Sequence, residues 1–149
     1  MLYIRYALWA GAVGALIPVM AVLNARLGRV LAAPNHAAVI LFAVALATAV
    51  LVSLLSTGRL PSITALRGAQ WADFAGGAIV AAYVLSITFL APRFGVGNAI
   101  LFAVCAQVIT SALIDHFGLL GAQIRPVSSL RSAGLIVMLL GLSLSQYSR

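Results

Sequence analysis

Gly95-Val96-Gly97-Asn98-Ala99-Ile100-Leu101-Phe102-Ala103-Val104-Cys105-Ala106-Gln107-Val108-Ile109-Thr110-Ser111-Ala112-Leu113-Ile114-Asp115-His116-Phe117-Gly118 is the stretch whose reading decides the fold. It contains an apolar run of ~18–20 residues, which as a helix rising 1.5 Å per residue crosses ~30 Å of hydrocarbon. Gln107 falls near the middle of that run, and Asp115-His116 come at its end, where the chain meets the interface. Successive helical residues turn by ~100°. Thr110 and Ser111 therefore share the side of Gln107, while Asn98 and Cys105 point the opposite way. The wheel predicts one polar face and one packing face on a single membrane helix.

The whole chain agrees with that stretch. Of its 149 residues, 64% are hydrophobic and only 7% charged. A water-soluble domain carries ~25% charged residues, and so few here could not solvate a surface. The expected class is an all-α integral membrane protein with five transmembrane helices. No hydrophilic stretch is long enough to fold separately, so one domain is expected over residues 1–149. The nine basic residues are all Arg, against Asp73 and Asp115, for a net charge of +7. They are spread one or two per loop instead of clustering with aromatics, which argues against nucleic acid as a partner and for membrane-flank positions. Cys105 has no cysteine to pair with and reads as apolar filler.

The spans are expected at about residues 6–25, 36–56, 71–91, 96–114 and 130–147. Arg5 precedes an apolar run that reaches Leu23 without a convincing cleavage site, so the first span is expected to be retained. Ala7, Gly11, Gly14, Pro18, Ala21 and Ala25 form a small-residue stripe along it, the usual means by which membrane helices approach closely. Pro18 frees a carbonyl near mid-span and predicts a kink. Arg26-Leu27-Gly28-Arg29 reads as a basic turn closed by Pro34-Asn35, and residues 63–70 as a short interfacial helix. The third span opens on Trp71 and Asp73, has Gly76-Gly77 for close packing, and carries Tyr83, Ser86 and Thr88 inside the membrane. Pro92-Arg93-Phe94-Gly95 ends it. Gly134, Met138, Gly141 and Ser145 give the fifth span a packing stripe of its own.

Five spans put the two ends of the chain on opposite sides of the membrane. One side then holds Arg5, Arg59, Arg67, Arg125 and Arg131, and the other Arg26, Arg29, Arg93 and Arg149. Membrane proteins ordinarily fix their orientation with a cytoplasmic excess of basic residues. The near balance predicts insertion both ways round and an antiparallel dimer of identical chains; unequal weighting of individual Arg residues is the alternative.

Each polar residue near a span has a functional and a plain reading. Gln107 must face protein or a wet cavity, since an amide in hydrocarbon is costly. It lies either in a substrate pathway near a dimer axis or in a helix-to-helix hydrogen bond worth ~1 kcal/mol. Asp115 could take a cation or a proton, or anchor the helix end through an Arg or a backbone amide; Ser111 shares the Gln107 face. Asn24 and Arg26 close the first span and form a gate or an anion contact, or snorkel to the interface. Tyr83 lines a path or packs with one hydrogen bond. Pro18, Gly76 and Gly77 are candidates for movement. Trp9 and Trp71 suit interfacial belts. No metal-ligand cluster, phosphate loop or nucleophile–base set is present, so neither enzymatic activity nor a cofactor is expected.

Several segments carry a family resemblance: Gly14…Pro18…Asn24-Ala25-Arg26-Leu27-Gly28, Phe42, Trp71…Gly76-Gly77…Tyr83-Val84, Ala91-Pro92-Arg93-Phe94-Gly95, Gln107, and Ile114-Asp115-His116-Phe117-Gly118. Together they resemble the five-helix branch of the drug/metabolite transporter superfamily over essentially the whole chain, the Asp-His-Phe-Gly run being the most specific piece. The resemblance implies half of a ten-helix transporter, occurring as dual-topology single chains, oppositely oriented pairs or fused tandems. Met20 stands where a Gln is common, Ala106 where a Gly often precedes Gln107, and Ala45 where a Gly is usual. Any substrate contact of the first span is therefore not carried over to Met20. The related four-helix multidrug exporters are built around a membrane-embedded Glu, which this chain lacks.

The function expected from the sequence is a small-molecule transporter of the bacterial inner membrane, with a midplane site in an antiparallel dimer. Its solute would be a small polar or weakly charged metabolite, and its partners the lipid bilayer and a copy or paralogue of the chain. The alternatives are a dual-topology ion channel and a non-transporting partner subunit.

Overall fold

The structure, a computed structural model, describes residues 2–147; Arg149, counted above in the charge balance, lies outside the described residues. Six α-helices carry the chain: α1 (Leu2–Gly14), α2 (Leu16–Val30), α3 (Pro34–Thr57), α4 (Ala75–Phe94), α5 (Val96–Phe117) and α6 (Ser129–Tyr147). No strand occurs among the described residues. Taken with the helical turns that extend them, these make five helices long and apolar enough to cross a membrane: Tyr3–Val30, Pro34–Thr57, Trp71–Phe94, Val96–Phe117 and Ser129–Tyr147. Large apolar side chains face outward along them, Leu55 at 79% and Trp71 at 87% exposed among many. Water would not tolerate such a surface; lipid does.

The hydrogen-bond ladder of the first span is interrupted between Gly14 and Leu16, while Ala15 keeps helical angles (φ −64°, ψ −19°). Pro18 has no N–H to return to the Gly14 carbonyl, so the ladder fails one turn upstream of the proline, and Ala15 donates back to Gly11 (2.9 Å) to close α1. The expected basic turn after residue 25 is instead helix. Arg26 and Arg29 are good helix formers, and a cation in the last turn of α2 suits its dipole. The chain stops only where Pro34 forbids continuation, after a turn in which the Leu31, Ala32 and Ala33 N–H groups take up the Leu27, Arg29 and Gly28 carbonyls. Pro34 then occupies the first turn of α3, where a missing N–H costs nothing. Gly58, with φ +70, closes that helix by donating to Leu54.

The expected interfacial helix is a 3-10 segment, Ile63–Gly68, and a second one, Trp71–Phe94's opening turn Trp71–Phe74, leads into α4. Asp73 there accepts the Gln70 N–H (2.8 Å), a reciprocal cap that fixes the start of the span.

The contacts group the chain into two compact units, Met1–Val96 and Gly97–Arg149. In the first, α2 packs on both α3 and α4, α3 packs on α4, and α1 packs on α2. The core is made of small residues: Ala21, Ala25, Ala37, Ala38 and Ala91 with Val84 and Ile87. Without a hydrophobic drive between helices in lipid, such residues let backbones approach closely enough for dispersion to hold them. The closest approach is at Gly28, where an added Cβ would sit 3.3 Å from the Pro34 Cα. The small-residue stripe is thus used only in its second half. Gly11 and Gly14, like Gly134 and Gly141 of α6, face open space.

In the second unit, α5 and α6 run antiparallel and are tied at both ends. Gln146 Nε2 donates to Asn98 Oδ1 (3.3 Å) at one end, and Arg131 pairs with Asp115 (3.0 Å) at the other. Asn98, Ala99, Cys105 and Ala112 are buried, while Gln107, Thr110 and Ser111 are exposed. The two faces of α5 divide as its helical wheel divides them.

Candidate functional site

The first unit holds a buried polar chain that crosses between its helices. Asn24, 4% exposed, donates through Nδ2 to the Thr88 hydroxyl (2.6 Å). Thr88 in turn donates to the Val84 carbonyl one turn back (2.7 Å). An amide inside a membrane needs such a partner, and Asn24 finds it on α4 instead of at the interface. The other side of Asn24 borders a groove of about 430 Å³ between α2 and α3, walled by Leu16, Val19, Met20, Leu23, Leu27 and Ile40 among others. Asn24 is its only residue with a polar side chain. Met20, which stands where the resemblance has a Gln, lines the same groove and makes it more apolar.

Tyr83 lies on α4, half-buried, with no hydrogen-bond partner among the described residues. Gln107 is exposed at the middle of the 22-residue α5 and likewise has none. Ser111 spends its hydroxyl on the Val108 carbonyl of its own helix (2.9 Å), the common resort of a serine in an apolar helix. Arg26 is exposed on the last turns of α2. Pro18 sits just inside α2, below the break it causes. Gly76 and Gly77 occupy the first turn of α4, exposed, with nothing near the place a Cβ would take.

Asp115 belongs to a clasp that holds the loop after α5. Its carboxylate accepts from Arg131 (3.0 Å), and its carbonyl accepts the Arg125 N–H (2.7 Å). His116 Nδ1 accepts the Val127 N–H (3.0 Å). The Phe117 ring meets the His116 ring edge-on, 4.7 Å between centroids. Gly118, with φ +62, turns the chain out of the helix; a Cβ there would lie 2.6 Å from Ile124 Cγ1. Every residue of the Asp-His-Phe-Gly run thus has a structural duty. Ser128 caps α6 by accepting the Arg131 N–H (3.2 Å).

The sequence-selected residues are divided between the two units: Asn24 and Tyr83 belong to the first, Gln107, Ser111 and Asp115 to the second. Three partners escaped sequence reasoning: Thr88 for Asn24, Gln146 for Asn98, and Val127 for His116. Only Thr88 had left a signal, as a polar group inside a span.

A second cavity of about 370 Å³ lies between the carboxyl-terminal ends of α2 and α4 and the start of α3, with Arg29 and Arg93 on its wall.

Comparison with curated proteins and with solved structures returned no match. A family model does match, over residues 5–144, nearly the whole chain. An inner-membrane family agrees with an all-helical chain that has five helices long and apolar enough to cross a membrane. The chain belongs to the family described as "Putative inner membrane exporter, YdcZ", a multi-pass inner-membrane family of the drug/metabolite transporter type.

Proposed function

We propose that the chain is one half of a small-molecule exporter, a five-helix subunit that pairs antiparallel with a second copy so that ten helices enclose a site at the membrane midplane. The observation that carries this reading is Gln107. It is exposed in the middle of a membrane helix with no partner among the described residues. An amide against lipid tails is costly, and a second chain or a wet pathway relieves it. The family supplies the activity class, transport instead of catalysis. The open faces at Gly11, Gly14, Gly134 and Gly141 leave backbone available to the helices of a second copy.

The groove beside Asn24 suggests the solute. Its size is that of a small-molecule pocket, its walls are apolar, and one amide offers hydrogen bonds. A compact solute bearing one polar or weakly charged group suits it. A multivalent cation does not, since no carboxylate lies in the middle of any span. The candidate solute contacts in this reading are Asn24 and Tyr83 of the first unit, with Arg26 as a gate, and Gln107, Ser111 and Asp115 of the second. The break above Pro18 and the unencumbered Gly76-Gly77 turn absorb the movement of alternating access.

The experiment combines geometry and flux. Gln107→Cys in a Cys105→Ser background should cross-link to itself, because an antiparallel two-fold axis places midplane residues together. Ser129→Cys, at a helix end, should not. Self-cross-linking at both positions would mean a parallel dimer, and at neither a different partner. With the dimer in hand, liposomes loaded with a panel of small metabolites should lose one class faster than protein-free vesicles; uniform retention would refute export.

A further inference from the structure

We propose that the first unit carries a binding site for one phosphate-type oxyanion, held by Arg29 and Arg93 in the cavity between the ends of α2 and α4 and the start of α3. This site is separate from the path at Asn24. The cavity holds about 370 Å³, and Ala25, Gly28, Pro34 and Pro92 make its remaining wall largely apolar. The Thr88 hydroxyl, which also borders it, is spent on Asn24 and Val84.

Arg93 is already oriented. One of its terminal nitrogens donates to the Phe89 carbonyl (2.8 Å), and its guanidinium carbon lies 3.7 Å from the Phe89 ring centroid. Stacking fixes the plane of the fork and leaves other N–H groups free to meet an oxyanion. Arg29 approaches from α2. Its helix end presents few bare carbonyls, since the following turn ties up those of Leu27, Gly28 and Arg29. Pro34 brings the amino-terminal, positive end of α3 to the same cavity.

What makes the arginines a binding site, instead of half of an ion pair, is that no acidic side chain meets them among the described residues. The chain has two acidic side chains. Asp73 caps the opposite end of the α4 span, 20 residues and about 30 Å of helix away from Arg93. Asp115 is taken by Arg131 in the other unit. Arg26, one turn before Arg29, adds further positive charge. A basic pocket between membrane helices, with apolar walls at the depth of the headgroups, takes phosphate through bidentate guanidinium contacts. The phosphate can belong to an anionic lipid headgroup or to a free phosphorylated solute.

The test is native mass spectrometry of the purified full-length chain in detergent, titrated separately with phosphatidylglycerol, phosphatidylcholine and inorganic phosphate. Wild type should retain one anion per chain in preference to phosphatidylcholine. Arg29→Gln and Arg93→Gln should each weaken retention about five-fold, and the pair roughly thirty-fold, at ~1 kcal/mol per arginine. Arg5→Gln, outside the cavity, should bind as wild type does, and size-exclusion profiles report whether each variant folds. Retention of phosphatidylglycerol alone supports the site as a lipid site. Retention of inorganic phosphate, or its displacement of phosphatidylglycerol, supports it as a solute site. Equal binding by the folded double variant, or binding of neither anion by wild type, overturns the proposal.

Discussion

Removing either end of the Asn24–Thr88 bond should cost different amounts, and the difference can be worked from who is left unsatisfied. In Asn24→Ala the Thr88 hydroxyl keeps its bond to the Val84 carbonyl, so only the interhelical bond is lost. Interhelical hydrogen bonds in membranes are worth about 0.6–1.7 kcal/mol. In Thr88→Val the Asn24 amide remains buried at 4% exposure and loses the acceptor of its N–H. Stranding a buried polar group costs about 1–3 kcal/mol. Thr88→Val should therefore be the more damaging, though it removes less of the side chain. The double variant should be close to Asn24→Ala alone, because a valine opposite an alanine strands nothing. The resulting coupling then equals the Thr88→Val cost in magnitude, about 1–3 kcal/mol, well above the ~0.3–0.5 kcal/mol within which independent sites add. Equilibrium unfolding in mixed micelles with increasing dodecyl sulfate measures all four corners of the cycle. Additive losses, or Asn24→Ala costing more than Thr88→Val, would refute the account of Asn24 as donor to a self-sufficient hydroxyl. Flux on the same variants separates the two duties of Asn24. Thr88→Val leaves the amide beside the groove and should spare transport, whereas Asn24→Ala should reduce it.

Gly118→Ala should destabilise the second unit by about 1–2 kcal/mol, the cost of a left-handed alanine. Adding Ile124→Ala removes the 2.6 Å clash and should recover little, since Ile124 is exposed and can swing away; full recovery, read by proteolysis of the 118–128 loop, would mean the clash dominates. Asp115→Asn should cost no more than about 1 kcal/mol, because the Asp115 and Arg131 side chains are 35% and 38% exposed and the Arg125 N–H to Asp115 carbonyl bond survives. A loss above ~2 kcal/mol in the same unfolding assay would show the pair to be covered by a second chain. Gly28→Leu should cost about 1–3 kcal/mol by forcing α2 off the Pro34 backbone, while Gly11→Leu, facing open space, should leave the monomer's stability unchanged. Equal effects on thermal unfolding would contradict the packing described for the first span.

How far the sequence could be read depended on how local the cause was. Pro18 announced a freed carbonyl in the first span, because a missing N–H acts on the carbonyl four residues earlier wherever the helix lies. Gly28, by contrast, looked like part of a turn between two arginines. It is helical, and its lack of a side chain serves the approach of Pro34, a contact no propensity encodes. The stop signal was Pro34, already in view but given to the wrong element boundary. The balance of arginines, the apolar runs and the missing mid-span carboxylate were all legible, since charge and length act against the bilayer one residue at a time.

By itself the sequence determined that this chain lives in a membrane, crosses it with five helices, and gives α5 a packing face and a polar face. These follow from transfer energies and helical periodicity, which need no knowledge of neighbours. Only the tertiary structure decided which partners the polar residues have. The partner of Asn24 is Thr88, 64 residues away, on another helix. The partner of the Asp115 carboxylate is Arg131, 16 residues on and 3.0 Å away. Arg29 and Arg93 were separate loop charges until two helix ends brought them to one cavity. The physical reason is the same in each case: in a low-dielectric medium the energy of a polar group is set by its partner, and the partner is chosen by packing.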